Sequence, residues 1–172
     1  MPTLAVYVNG MTMGTAGRNA APSKRGEVNG WSRAAVRRHT KWLYSVDSDA
    51  LDGTGFAMTL TMADIPASSV EFHAARRAFL KRLERLGLVR LHWVVEWTRR
   101  RRPHLHMAGY FPPEVSGSEA VALRVAIVRA WIAVAERWGA GWPGQHVKPI
   151  DGAQGWLRYL SKHAARGVEH YQ

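Results

Sequence analysis

The chain has no cysteine among its 172 residues. Disulfides and thiolate metal sites are therefore excluded, and any metal must be held by nitrogen and oxygen donors. Long apolar runs are also missing, since nothing approaches the ~20 residues of a membrane-spanning helix. The opening Met1 to Gly10 does not combine a basic leader, an apolar centre and a cleavage site, so no secretory signal is expected and a cytoplasmic location fits. No glycine-rich loop ending in Lys-Ser/Thr occurs, which leaves out an attached nucleotide-driven motor. Acidic residues are scarce: 13 Asp+Glu stand against 24 Lys+Arg, for a formal net charge of +11. That surplus favours a polyanionic partner. The lack of an apolar, lysine-rich amphipathic stripe disfavours an anionic membrane as that partner.

What is present divides into an irregular basic arm over 1–30 and a folded domain over 31–172, with its core at about 53–167. In the arm, Leu4 to Val8 is a candidate strand and Asn9-Gly10 a candidate turn, while 14–30 is rich in Gly, Ala, Asn and basic residues. Ser32 is placed to cap a helix from Arg33 to Tyr44, cationic along Arg33, Arg37 and Lys41 and apolar at Val36 and Leu43. Phe56 to Met62 alternates as a strand, with Ala57, Thr59 and Thr61 forming a small, polar face. A helix is expected from Ser68 or Ser69 to about Leu86, with Val70, Ala74, Ala78, Leu83 and Leu86 inward and Gly87 as its stop. Leu88 to Thr98 reads as a long strand whose Trp93, Val95 and Trp97 face a core. The stripe Val121, Val125, Val128, Ile132, Ala135 and Trp138 predicts a helix over 118–138, and His146 to Ile150 a short edge strand, since Pro149 cannot donate to a ladder. A last helix runs from Gln154 to about Ala165. The order β-α-β-β-α-β predicts an α+β, ferredoxin-like central antiparallel sheet, with an N-terminal helical extension and an added C-terminal helix.

The chemistry concentrates between Glu96 and Phe111. His104 and His106 are two apart on a strand, so both imidazoles project to one face while Leu105 and Met107 face the other way. With an even pairing register, Glu96 of the preceding strand joins them, and two histidines with a carboxylate suit a catalytic divalent metal. His92 shares the parity of Glu96 and is expected to support the sheet or to touch a nucleic acid. Arg99, Arg100, Arg101 and Arg102 crowd four positive charges at the intervening hairpin, which points to phosphate binding. About fifty residues downstream, Tyr159 and Lys162 fall at i and i+3 on one helix face, beside Arg158. A tyrosine next to a lysine near a metal suits covalent phosphoryl chemistry.

The sequence Phe56-Ala-Met-Thr-Leu-Thr-Met62, then His104-Leu105-His106, then Tyr159-x-x-Lys162 resembles the HUH endonucleases. Within them it looks most like the rolling-circle replication initiators of small plasmids and single-stranded DNA viruses, with the same three motifs in the same order. The resemblance implies that Glu96, His104 and His106 hold Mg²⁺ or Mn²⁺ and that Tyr159 is the nucleophile, assisted by Lys162. The product would be a covalent 5′-phosphotyrosine link to single-stranded DNA at an origin or hairpin. Thr59, Thr61, His92, Arg158 and the hairpin arginines would bind that DNA, in a bacterial host whose helicase and polymerase complete replication. Some such enzymes carry a second tyrosine four residues away, but Gly155 and His163 stand there, so this is a single-tyrosine pattern. The single-tyrosine transposases of insertion sequences share the motif order but usually carry glutamine where Lys162 stands. An RNA-recognition-like binding module would want exposed aromatics where Thr59, Thr61 and the two histidines lie.

Overall fold

The computed structural model describes residues 2–15, 32–98, 100, 102–152, 155–157 and 159. Strands β1 (Pro2–Tyr7) and β2 (Gly10–Thr15) form an antiparallel hairpin. Regular structure thus enters the segment expected to be an irregular arm. The turn sits one residue earlier than expected, because Tyr7 pairs with Gly10 and leaves Val8 and Asn9 as the loop. The shift has a packing reason: a Cβ on Gly10 would lie 2.9 Å from the Tyr44 ring. The bare backbone lets the hairpin settle on the end of helix α1 (Arg33–Ser45). The Ser32 hydroxyl caps α1 by accepting from Ala35 N–H at 3.1 Å, as expected.

Downstream come β3 (Thr54–Leu60), α2 (Ser69–Arg85), β4 (Arg90–Trp97), β5 (Pro103–Phe111), α3 (Gly117–Ala135) and β6 (His146–Pro149). The sheet order is β4-β5-β3-β6, with every neighbouring pair antiparallel. This is the expected βαββαβ arrangement, and β6 lies at the edge. Phe56, Met58 and Leu60 of β3 and Leu105 and Met107 of β5 are buried against α2 and α3. Their period of two, set against the 3.6-residue period of the helices, defines a single core layer between sheet and helices.

The stripe of α2 is rotated from the expected one, while that of α3 keeps Val128, Ala135 and Trp138 in the core as expected. On α2 the buried residues are Phe72, Ala75, Phe79 and Leu83, whereas Val70 is 70% exposed and Ala74 and Ala78 are exposed. Two phenylalanines bury far more apolar area than a valine and two alanines, so they decide which face turns inward. On α3, Val121 is exposed and Trp131 is fully buried, its indole N–H donating to Thr61 O at 3.0 Å. The stripe continues to Trp138 through a 3-10 turn, Glu136–Trp138, closed by Gly139 at φ 70°. The Arg76 guanidinium lies 4.0 Å from the centre of the Trp93 ring. There it covers apolar surface beside the sheet edge.

The second face of the sheet is less open than the plain βαββαβ scheme implies. Helix α1 reaches it through His39 and Trp42, whose rings lie 5.0 and 4.6 Å from that of His92. Trp156 and Ile150 pack on the same face against buried Val94 and Ala108.

Candidate functional site

Register places the site. Glu96 lies directly opposite His104, and Val94 opposite His106, which itself lies opposite Thr59 of β3. Directly opposed residues of an antiparallel pair share a face, so Glu96, His104, His106 and Thr59 form one patch on the side away from α2 and α3. The patch sits where β4 and β5 leave their hairpin. Thr98 N–H donates to Arg102 O at 3.0 Å and Arg102 N–H to Thr98 Oγ1 at 3.2 Å, which holds that hairpin closed.

His106 is the centre of the patch and is only 4% exposed. Its Nε2 lies 3.2 Å from Glu96 Oε2 and its Nδ1 3.2 Å from Thr59 Oγ1. A neutral ring protonated at Nε2 satisfies both: the carboxylate accepts from Nε2–H, and the threonine hydroxyl donates to Nδ1. His104 is half-buried, and its ring centre is 6.3 Å from that of His106. Burial pushes the His104 pKa below the ordinary histidine value, and the nearby Glu96 carboxylate opposes the shift. The Tyr159 ring stands edge-on to His106 at 5.8 Å between centres and stacks on Trp156 at 4.8 Å. At 37% exposure Tyr159 is accessible, and the residues described around it, 155–157 and 159, are helical.

Among the described residues, no three His, Asp or Glu side chains converge as a metal-binding group. The donor set itself suits a divalent ion, being two imidazoles and one carboxylate on one sheet face. Glu96 is turned onto His106, so bringing three donors to one point calls for side-chain rotation while the strand register stays as it is.

The structure therefore gathers Glu96, His104, His106, Thr59 and Tyr159. His92 shares their face, but its ring is enclosed by α1, with Nε2 3.0 Å from His39 Nε2. Burial, reinforced by His39, lowers the His92 pKa to about 4. Thr61 falls outside the patch because β3 ends at Leu60. Its N–H donates to Gln145 Oε1 at 2.9 Å, and its hydroxyl donates to Gly144 O at 3.3 Å. Arg100 is exposed and Arg102 half-buried at the hairpin, while Arg99, Arg101, Arg158 and Lys162 lie outside the described residues. Thr59, expected as a DNA contact, is also engaged with His106, and the signal was the strand pairing that puts them opposite each other. One contributor escapes sequence reasoning: Trp156 supports Tyr159, and the signal was its i, i+3 spacing.

Fold and site together define a small α+β domain with a His/Glu/Tyr centre laid on an antiparallel sheet. The family model described as replication-associated protein ORF2/G2P matches residues 55–167, and the chain belongs to that family. Relatives include a Xylella fastidiosa (strain Temecula1) protein named for a role in replication, 49% identical over 174 residues, covering 100% of this chain and 64% of the relative. A counterpart from strain 9a5c is also 49% identical, covering 100% of this chain and 59% of its own length. The replication-associated protein G2P of Pseudomonas phage Pf3 is 42% identical over 176 residues, covering 100% of this chain and 62% of its own length. The chain thus spans less than two thirds of each of these relatives. No solved structure matches it.

Proposed function

We propose that this domain nicks and rejoins single-stranded DNA through Tyr159, as the initiating step of rolling-circle replication. The observation that carries the reading is the Tyr159 ring, accessible and 5.8 Å from His106, on the face that also bears Glu96 and His104. Membership of a replication-associated family supports initiation over transposition, as does Lys162 where a transposase usually has glutamine.

In this mechanism the Tyr159 oxygen attacks the phosphorus of one phosphodiester. The P–O(Tyr159) bond forms, the P–O3′ bond breaks, and the phenol loses its proton as the 3′ oxygen gains one. The strand's 5′ phosphate remains on the protein, and the free 3′-OH can prime synthesis and later reseal the strand. An unperturbed tyrosine has a pKa of about 10, so the phenolate needs help. Lys162, three residues further in the sequence, is assigned the stabilisation of developing negative charge. Glu96, His104 and His106 are the residues that would hold Mg²⁺ or Mn²⁺, which supplies Lewis-acid polarisation of a non-bridging phosphate oxygen when bound. Thr59 keeps His106 oriented, and the hairpin arginines draw the strand across the sheet. A bacterial helicase and polymerase would complete replication.

The test is a covalent-adduct assay. Wild type is mixed with a pool of single-stranded DNAs and Mn²⁺ and run on a denaturing gel. We expect a shifted band that disappears with Tyr159→Phe and with chelator. Absence of the band across a pool containing the cognate origin would overturn the reading in favour of simple DNA binding.

A further inference from the structure

A cavity of about 270 Å³ lies one register step from the His/Glu patch. Its floor is made by His92 and Ala108, which lie opposite each other, and by Tyr110. Trp42 from α1 and Trp156 from the Tyr159 turn stand at its sides. Asp47 and Arg90 are the ionisable side chains of its lining apart from His92 and Tyr110.

We propose that this cavity receives one unstacked nucleobase of single-stranded DNA and thereby sets where the strand lies against Tyr159. The inference rests on the strand-transfer reading for its purpose, but not for its chemistry. Size comes first. Pockets for drug-sized ligands run from about 300 Å³ upward, so this volume suits a single heterocycle and is too small for a peptide helix or a duplex. The lining comes second. Aromatic faces on opposite elements are what a flat, unstacked base recognises, and stacking of this kind tolerates any base. Charge comes third. Burial keeps the His92 pKa low and that of Tyr110 high, so the floor is uncharged near pH 7, while Asp47 and Arg90 are exposed and of opposite sign. An uncharged floor favours a base over its phosphate.

Polar edges are available as well. Asp47 can accept, Arg90 can donate, and the buried Trp156 indole N–H has no acceptor among the described residues. Connection comes last. Trp156 stacks on Tyr159, and Tyr159 meets His106, so a base held against Trp156 touches the turn that carries the nucleophile. Successive residues of a strand advance about 3.3 Å, so the pocket floor and the patch are separated by only a short span of single strand.

The test uses Tyr159→Phe protein, so that binding is read without covalent chemistry. Short single strands carrying one iododeoxyuridine at successive positions are bound and irradiated, and the crosslinked peptides are identified by mass spectrometry. In parallel, an abasic residue is walked along the same strands and affinity is measured by fluorescence anisotropy. We expect one position whose iodinated base crosslinks to Trp42, Tyr110 or Trp156, and whose abasic form binds about 5- to 100-fold more weakly. Ala50→Trp adds bulk at an exposed position of the cavity wall, and its thermal unfolding should match the parent. It should abolish that crosslink and bind intact and abasic strands equally. Crosslinks confined to other surfaces, or an Ala50→Trp protein that still discriminates the abasic strand, would overturn the proposal. An apolar peptide or metabolite that binds the cavity while the DNA scan stays flat would overturn it too. A positive scan alongside a failed adduct assay would keep the pocket and remove the nickase.

Discussion

At the scale of single residues, His106 shows how little freedom the site leaves. Its two ring nitrogens are engaged by Glu96 and Thr59, each at 3.2 Å. If Nε2 gives up its proton to serve as a ligand, that proton moves to Nδ1, and the Thr59 hydroxyl must turn from donor to acceptor. Serine and threonine hydroxyls can do both, and valine can do neither. Thr59→Val keeps the β-branched shape that the strand prefers but strands Nδ1. Loss of such a supporting hydrogen bond weakens metal affinity by about 10- to 100-fold. We therefore expect a rise of that order in the Mn²⁺ concentration giving half-maximal adduct, with Thr59→Ser close to wild type. Equal Mn²⁺ dependence in Thr59→Val and wild type would assign Thr59 to packing alone.

At the scale of elements, the attachment of α1 to the sheet depends on an uncharged histidine pair. The His92 pKa is lowered to about 4, first by burial and then by His39, whose own value burial also lowers. A histidine depressed in the folded state must take up a proton on unfolding between pH ~6.5 and ~4. Its contribution to stability is therefore complete above pH ~6.5 and is lost as the pH falls toward 4. For His92 the loss is about 1–3 kcal/mol, allowing for its partial exposure. Urea titrations across this range should show the midpoint falling with acidity, and His92→Gln should flatten part of that fall. An unchanged slope in His92→Gln would mean that the carboxylates alone carry it.

At the scale of the whole molecule, the +11 charge predicts strongly salt-dependent DNA binding. For single strands the slope of log K against log salt is about −0.7 per phosphate contacted. Arg100 is exposed at the β4–β5 hairpin beside the patch, so Arg100→Ala should make the slope shallower by about 0.7. It should weaken all sequences alike, since a phosphate contact positions the strand without specifying its bases. A sequence-dependent loss with an unchanged slope would place Arg100 on a base instead.

Much of this molecule is legible in one dimension because the deciding physics is local. Alternation at 90–97 and 103–111 determined which side chains of each strand share a face, so that His104 and His106 project together, and the even register that sets Glu96 opposite His104 joined it to them. Ser32 and Ser68 determined where two helices begin, since a hydroxyl at that point satisfies an orphan N–H. Helix rotation was less legible: Phe72 and Phe79 displaced the expected stripe of α2, because burial rewards area and not spacing alone. Only the tertiary structure could bring His39 and Trp42 onto His92, or Trp156 beneath Tyr159. Those partners belong to elements far apart in the chain, and no periodicity within one element encodes the face on which another will land.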